Sequence, residues 1–295
     1  LPWRDVLHLG PVPALPPDAL RRERAAFLAS CGWTTEAAAA SDLGTRDATL
    51  ARHRGELVLW FEADLYDQLQ LVQVLAALAA DGADPARITL VCVGEYPGIG
   101  HFGGLGELTP EQLLGLRPGG ATLTAAALDL AASAWAALTA PTPEGWASVA
   151  ATVSGELRFV PEAFDRLGRE LPSTRDGLSL TERRVLAASA GGPLPAAAVF
   201  RQVSARETRP FLGDSGCFRL ITGLVADGLL AAATPVGPDT EVAPTGDGRR
   251  VLGGSADRVD LAGFDRWVGG THVVAPDAMW RWDEGTERVT RWPAP

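Results

Sequence analysis

Residues 56–93 constrain the fold more than any other stretch, because they read as a strand, a long helix and a second strand in that order. An apolar run at 56–61 ends in Phe61. From Leu65 onward apolar residues recur at Leu69, Val72, Leu75 or Ala76, and Ala79, which is the spacing of one helix face. Leu71, Val74 and Leu78 add a second apolar stripe, so this helix is expected to be buried over most of its girth. Asp81-Gly82 ends it. Residues 88–93 (ITLVCV) are then a short continuous apolar run of the kind buried on both faces in a parallel sheet. Strand, helix and strand make a β-α-β unit, whose crossover is expected to be right-handed.

The flanking sequence extends this pattern. Residues 1–17 are broken by prolines and read as loop, followed by a helix at 18–31 with Asp18 as its N-cap and another at 34–53. A Gly-rich loop at 94–108 leads to Thr109-Pro110-Glu111-Gln112, a capping box with Pro at the first helical position. Further helices are expected near 124–138, 144–153 and 161–171, with boundaries at 141–143 and 172–177. Ser179 and Glu182 cap a helix at 181–190, residues 194–204 read as another, and Asp214 caps a third at 215–226. A β-like arm starts at 228, with turns at Pro238-Asp239 and Gly246-Asp247-Gly248. Three helices and then a hairpin is the order of a winged helix. The expected architecture is a Rossmann-like α/β domain with a mostly parallel sheet at 1–140 and a helical connector at 141–175. A winged-helix-like α+β domain follows at 176–254, and a Trp-rich tail at 255–295 packs back on the body.

Composition narrows the function. All 26 basic residues are Arg, and the chain has neither Lys nor Asn. That excludes a Schiff-base lysine, a P-loop lysine and a Cys-His-Asn triad. Residues 1–170 hold 12 Arg against 21 acids, a net of −9, and an acidic front half disfavours wrapping nucleic acid or an anionic membrane. Cys31, Cys92 and Cys217 form no metal spacing and cannot all pair, so reduced thiols and a cytoplasmic location are expected. No apolar run approaches the roughly 20 residues of a membrane span, and no signal peptide is visible.

The chemistry-bearing residues gather where the first strand hands over to the helix. Glu62 and Asp64 are two apart and face the same side of an extended segment. Asp64 is placed to cap the helix with Asp67 at its third position, where negative charge is stabilised by roughly 0.3–1 kcal/mol per group. Capping leaves Glu62, Tyr66, Gln68 and Gln70 unexplained. In open α/β sheets ligands bind outside the carboxyl ends of strands, which makes this junction the candidate pocket. Its carboxylates repel a bare phosphate and suit a divalent cation, sugar hydroxyls or an amine. Crowding among them raises a pKa, which is how a general acid or base is made. No His-x-x-x-His or Cys pair supports a metal, and no cofactor is assigned.

Two other polar groups accompany the junction. In Trp3-Arg4-Asp5-x-x-His8, His8 is a candidate base with Asp5 orienting it; the alternative is a structural histidine beside an Arg4–Asp5 ion pair. Residues 98–103 match G-x-G-x-x-G by letter, but the next helix waits until Pro110, so a flap carrying Glu95, Tyr96 and His101 is expected instead of a nucleotide site.

In the rear half, the helix that would enter a DNA groove offers Arg219 alone, with Arg249 and Arg250 on the arm as further contact candidates. With so few cations, a packing or dimerisation module is favoured over DNA, and a homodimer is compatible with it. The four tail residues Trp267, Trp280, Trp282 and Trp292 are expected to close a core, with Arg stacked along their rims.

Several stretches resemble the bacterial domain of unknown function 1835 family: WRDVLHLGPVP at 3–13, LVLWFEADLYDQLQL at 57–71 and PSTRDGLSLTERRVL at 172–186. APTGDGRRVL at 243–252 and FDRWVGGTHV at 264–273 are similar as well. The family is uncharacterised, so the resemblance implies no reaction. Its members open with a strand carrying Gly-Asp ahead of the Trp-x-Asp segment. That strand is absent before Trp3, and the chain starts at Leu1 with Met279 as its one methionine, so a truncated start is expected. The function expected is binding or transformation of a small polar metabolite in the acidic pocket. The alternative is a ligand-sensing transcriptional regulator, or an interaction module working through the rear domain.

Overall fold

The computed structural model describes residues 1–276 and 279–292, and the chain divides into two compact units. The first is Leu1–Arg166 with Trp267–His272; the second is Leu167–Arg266 with the chain from Val273 onward. Both mix helices with small sheets.

The first unit opens with α1 (Pro17–Ser30) and α2 (Glu36–Arg52), packed against each other. Asp18, expected as the cap of α1, lies inside the first turn and pairs with Arg21, while Pro16 occupies the cap position without a side-chain bond. A proline at the first helical position needs no N–H partner, which starts the helix a residue early. β1 (Leu57–Glu62), α3 (Leu65–Ala80) and β2 (Ile88–Val93) form the expected strand–helix–strand, with the strands parallel from Leu57 opposite Ile88 to Glu62 opposite Val93. α4 (Pro110–Leu116) starts on the Thr109–Gln112 capping box. β3 (Ala121–Thr122) adds antiparallel to β2, with Leu90 opposite Ala121.

The expected mostly parallel sheet is therefore a three-stranded mixed sheet, ordered β1-β2-β3, with one parallel pair. After β2 the chain enters the Gly-rich loop and returns as a two-residue strand, so no second β-α-β unit builds on the first.

α5 (Ala125–Thr139) packs along α3. Between β1 and α5, ten residues of α3 are buried, and Leu69, Leu71 and Leu75 have no exposed surface. Each such side chain contributes about 1.5–3 kcal/mol relative to exposure. α6 (Trp146–Ala150) and α7 (Val160–Gly168) follow. The Gly269-Gly270 turn joins this unit by two hydrogen bonds: the Val12 N–H donates to Gly269 O at 2.9 Å and the Gly270 N–H to Leu138 O at 2.7 Å.

The second unit contains α8 (Leu180–Ala188), β4 (Leu194–Pro195), α9 (Ala196–Ser204), α10 (Asp214–Ala226), β5 (Leu230–Ala231) and β6 (Glu241–Pro244). Its three short strands pair antiparallel in the order β4-β6-β5. Val199 and Val203 of α9, Cys217, Ile221 and Leu224 of α10, and Leu230 and Val242 of the sheet share one buried core. The turn expected at 246–248 is instead the first turn of α11 (Gly246–Leu252), capped by Thr245, whose hydroxyl accepts the Gly248 N–H at 3.0 Å. Arg249 and Arg250 consequently lie on a helix and not on a β arm. α12 (Arg258–Ala262), β7 (Asp265–Val268), β8 (Thr271–Val274), β9 (Met279–Asp283) and β10 (Arg288–Trp292) complete the chain, and the last two pair antiparallel. Trp282 is buried, and a Cβ on Gly168 would stand 3.0 Å from its ring.

The 172–186 stretch is a buried charge lattice within this unit. Both oxygens of buried Asp176 accept from Arg183, at 2.9 and 3.0 Å. Glu182 closes the Ser179 capping box and receives Arg266 at 2.5 Å. Burial alone would raise the Glu182 carboxyl, but Arg266, Arg258 and the Ser179 N–H outweigh it and hold it down at about 2.

Candidate functional site

The sharp turn from β1 into α3 puts five polar side chains, Glu62, Asp64, Tyr66, Asp67 and Gln68, into seven residues. The Asp64 carboxylate accepts the Asp67 N–H at 3.1 Å, the capping bond expected from sequence. Asp67 reaches back, and its Oδ2 accepts the Glu62 N–H at 2.5 Å. Gln68 is buried; its Nε2 donates to the Glu62 carbonyl at 2.5 Å and to Cys92 Sγ on the neighbouring strand at 3.3 Å. The Glu62 carboxylate lies beside the Asp64 side chain, and its Oε1 accepts the Leu105 N–H at 2.7 Å. The Gly-rich loop thus meets the junction at Glu62.

Burial sets the protonation of these acids, with neighbouring charge adding to it at Asp64 and Glu62. Burial pushes the Asp64 carboxyl up to about 8, and the Asp67 and Glu62 charges add to it against the Asp67 and Tyr66 N–H groups. Burial also raises Glu62, with the Leu105 N–H and the Asp64 side chain opposing and Asp67 and Glu107 reinforcing. Asp67 is raised by burial, countered by the Glu62 N–H. At neutral pH Asp64 holds a proton beside ionisable neighbours, the arrangement from which a carboxyl can donate and a carboxylate accept.

The N-terminal segment docks on the same helix. The Asp5 N–H donates to Gln70 Oε1 at 2.9 Å, and Trp3 Nε1 to Gln73 Oε1 at 2.8 Å. The His8 ring meets Tyr66 edge-on, with centroids 5.9 Å apart, which brings His8 to the junction. Asp5 does not form the ion pair with Arg4 that the alternative reading expected. Both of its oxygens face the buried guanidinium of Arg24, at 2.6 to 3.2 Å, while Arg4 is exposed. Arg24 also donates to the carbonyls of Val6, Leu9 and Pro11, so the whole segment is wrapped around one arginine.

Burial, with Arg24 and Arg166 nearby, pushes His8 down to about 3, which makes it a neutral ring and a weak base at physiological pH. Burial raises the Tyr66 hydroxyl, the Asp67 and Asp5 charges add to it, and Gln70 and Arg4 oppose.

Glu95 and His101 are exposed on the loop, and among the described residues no hydrogen bond or ion pair ties either to Glu62. Nor is any group of three or more His, Cys, Asp or Glu among those residues arranged to hold a metal ion. Sequence reasoning missed Arg24, Gly104 and Leu105. A buried arginine on a helix has no local signature, and a backbone N–H is identical in every residue but proline.

On the second unit, Arg219 is exposed on the outer face of α10 together with Ser215, Thr222, Gly223 and Ala226. Arg249 and Arg250 are exposed on α11; Arg249 donates to Pro244 O at 2.8 Å and Arg250 lies 3.6 Å from Asp247. Within the described residues no helix is long and apolar enough to cross a membrane. The chain matches no protein-family model, no curated protein and no solved structure.

Proposed function

We propose that the β1–α3 junction binds a small polar metabolite rich in hydroxyl or amine groups, and that any reaction there is proton transfer between it and the Glu62–Asp64 pair. The observation carrying this reading is the packing of Glu62, Asp64 and Asp67 at the carboxyl end of a parallel strand, with Asp64 protonated at neutral pH. Protonated Asp64 serves as donor and Glu62 as acceptor, with Tyr66 at the rim and Gln68 fixing the Glu62 backbone from behind. His8 supports Tyr66 as a neutral ring and does not act as the base. The β1–α3–β2 order supports a Rossmann-like reading of this unit. The five family-like stretches support membership in the domain of unknown function 1835 family, and three cysteines outside any disulfide support a cytoplasmic location.

Thermal melting against a panel of polyols, amino sugars and linear polyamines tests the site. A hit should raise the melting temperature of the native chain and lose that effect in Glu62→Gln. If every ligand-induced shift survives both Glu62→Gln and Asp64→Asn, the pocket reading is wrong.

A second reading, regulation through the rear unit, draws on the order of α8 to α10 with the β4-β6-β5 sheet, which is winged-helix order, and on the exposed outer face of α10. DNA binding would appear as salt-dependent retardation weakened by Arg219→Ala. A concentration-dependent dimer without retardation would identify an assembly module instead.

A further inference from the structure

We propose that residues 95–108 of the Gly-rich loop are a latched lid whose catch is Glu62: the carboxylate the pocket would offer a ligand is held by the protein's own backbone until the loop lets go. What the latch controls rests on the pocket reading above, whereas the latch itself stands on the loop's geometry.

Among the described residues, the bond from the Leu105 N–H to Glu62 Oε1, at 2.7 Å, is the hydrogen bond joining residues 95–108 to the rest of the first unit. The other hydrogen bonds of this stretch are local. Tyr96 O accepts the Ile99 N–H at 3.1 Å, and Glu107 Oε1 accepts the Gly103 N–H at 3.2 Å. Gly104 O accepts the Glu107 N–H and Leu105 O the Leu108 N–H, each at 3.1 Å. With its other hydrogen bonds internal, the segment can leave as a unit once that bond and its apolar contacts give way, pivoting next to buried Leu108.

Gly104 makes the close approach possible. Its φ is +145°, a conformation that side chains rarely adopt, and a Cβ there would collide with Glu62 Oε2. Gly104 is buried, and Ile99, Phe102 and Leu105 are half-buried, so apolar contact supplements the catch. Glu95, Pro97, Gly98, Gly100 and His101 stay exposed at the tip. A ligand donating to Glu62 competes directly with the Leu105 N–H, so occupancy of the pocket and release of the loop are one event.

Amide hydrogen exchange on the full chain tests this. Gly104→Ala forces the loop off the carboxylate, and Glu62→Gln removes the charge from the bond. Exchange at Leu105 should quicken about tenfold in Gly104→Ala, the size of one charge-assisted hydrogen bond, and by less in Glu62→Gln. Exchange along β2 should stay at the wild-type rate. A Leu105 amide that keeps its wild-type rate in Gly104→Ala overturns the latch. So does acceleration of β2 in step with the loop, which marks a contact needed for the whole fold. The measurement uses no ligand, so its failure is separate from failure of the melting panel.

Discussion

Replacing Asp64 with Asn removes one titrating group while keeping its shape and its role as a helix cap, since Asn caps as well as Asp. The Asp64 carboxyl is held at about 8 against an ordinary value of 3.8. Between those values the folded chain carries a proton that the unfolded chain has lost. The stabilisation from that proton is complete below the unfolded pKa and disappears as pH rises through the folded one, with a slope of about 1.4 kcal/mol per pH unit. The Asp64→Asn variant has no such slope, so its stability relative to the native chain should grow by about 3 kcal/mol from about pH 5 to about pH 7. His8 has the opposite sign, because its pKa is depressed to about 3 and its unfolded form gains a proton below an ordinary value of 6.5. It is present in both proteins and cancels in the difference. Urea unfolding of both chains across this range, followed by far-UV dichroism, measures that difference directly. A difference that stays level with pH would refute the assignment of a protonated Asp64.

Arg24→Met should strand Asp5 in a buried setting and cost about 3–5 kcal/mol, with Asp5→Leu recovering much of it in the double variant. A loss under about 1 kcal/mol in denaturant unfolding would show that the guanidinium is not the anchor of the segment. In the second unit, Gly248→Ala drives a Cβ into Leu229 O and should lower stability by about 1–3 kcal/mol or more. Gly246→Ala, two residues earlier on α11 with nothing within 4 Å, should be neutral or mildly stabilising in the same thermal melts. Equal effects at the two positions would contradict the close packing of α11 against the Leu229 backbone.

Short-range chemistry accounts for what was legible in the sequence. The β1–α3–β2 order, the girth-wide burial of α3, the Asp64 cap and both capping boxes depend on residues within a few positions of one another. Periodicity and hydrogen-bonding reach are local properties, so the chain carries them openly. Even so, local reading failed where a competing local rule prevailed: Pro17 displaced Asp18 from the cap of α1, and Thr245 turned an expected Gly-rich turn into α11.

Tertiary structure alone decided the site. Glu62 is bound by Leu105, 43 positions away, and Asp5 is anchored by Arg24 and Gln70, so the unexplained Gln70 proves, with Gln73, to be a docking point of the N-terminal segment. Only burial beside two other acids lifts the Asp64 carboxyl to about 8, and only burial near Arg24 and Arg166 drops His8 to about 3. Burial, long-range partners and local dielectric are created by the folding of distant segments onto one another. The sequence by itself therefore named the acids at the junction, while the fold determined which of them keeps its proton and which is held by the loop.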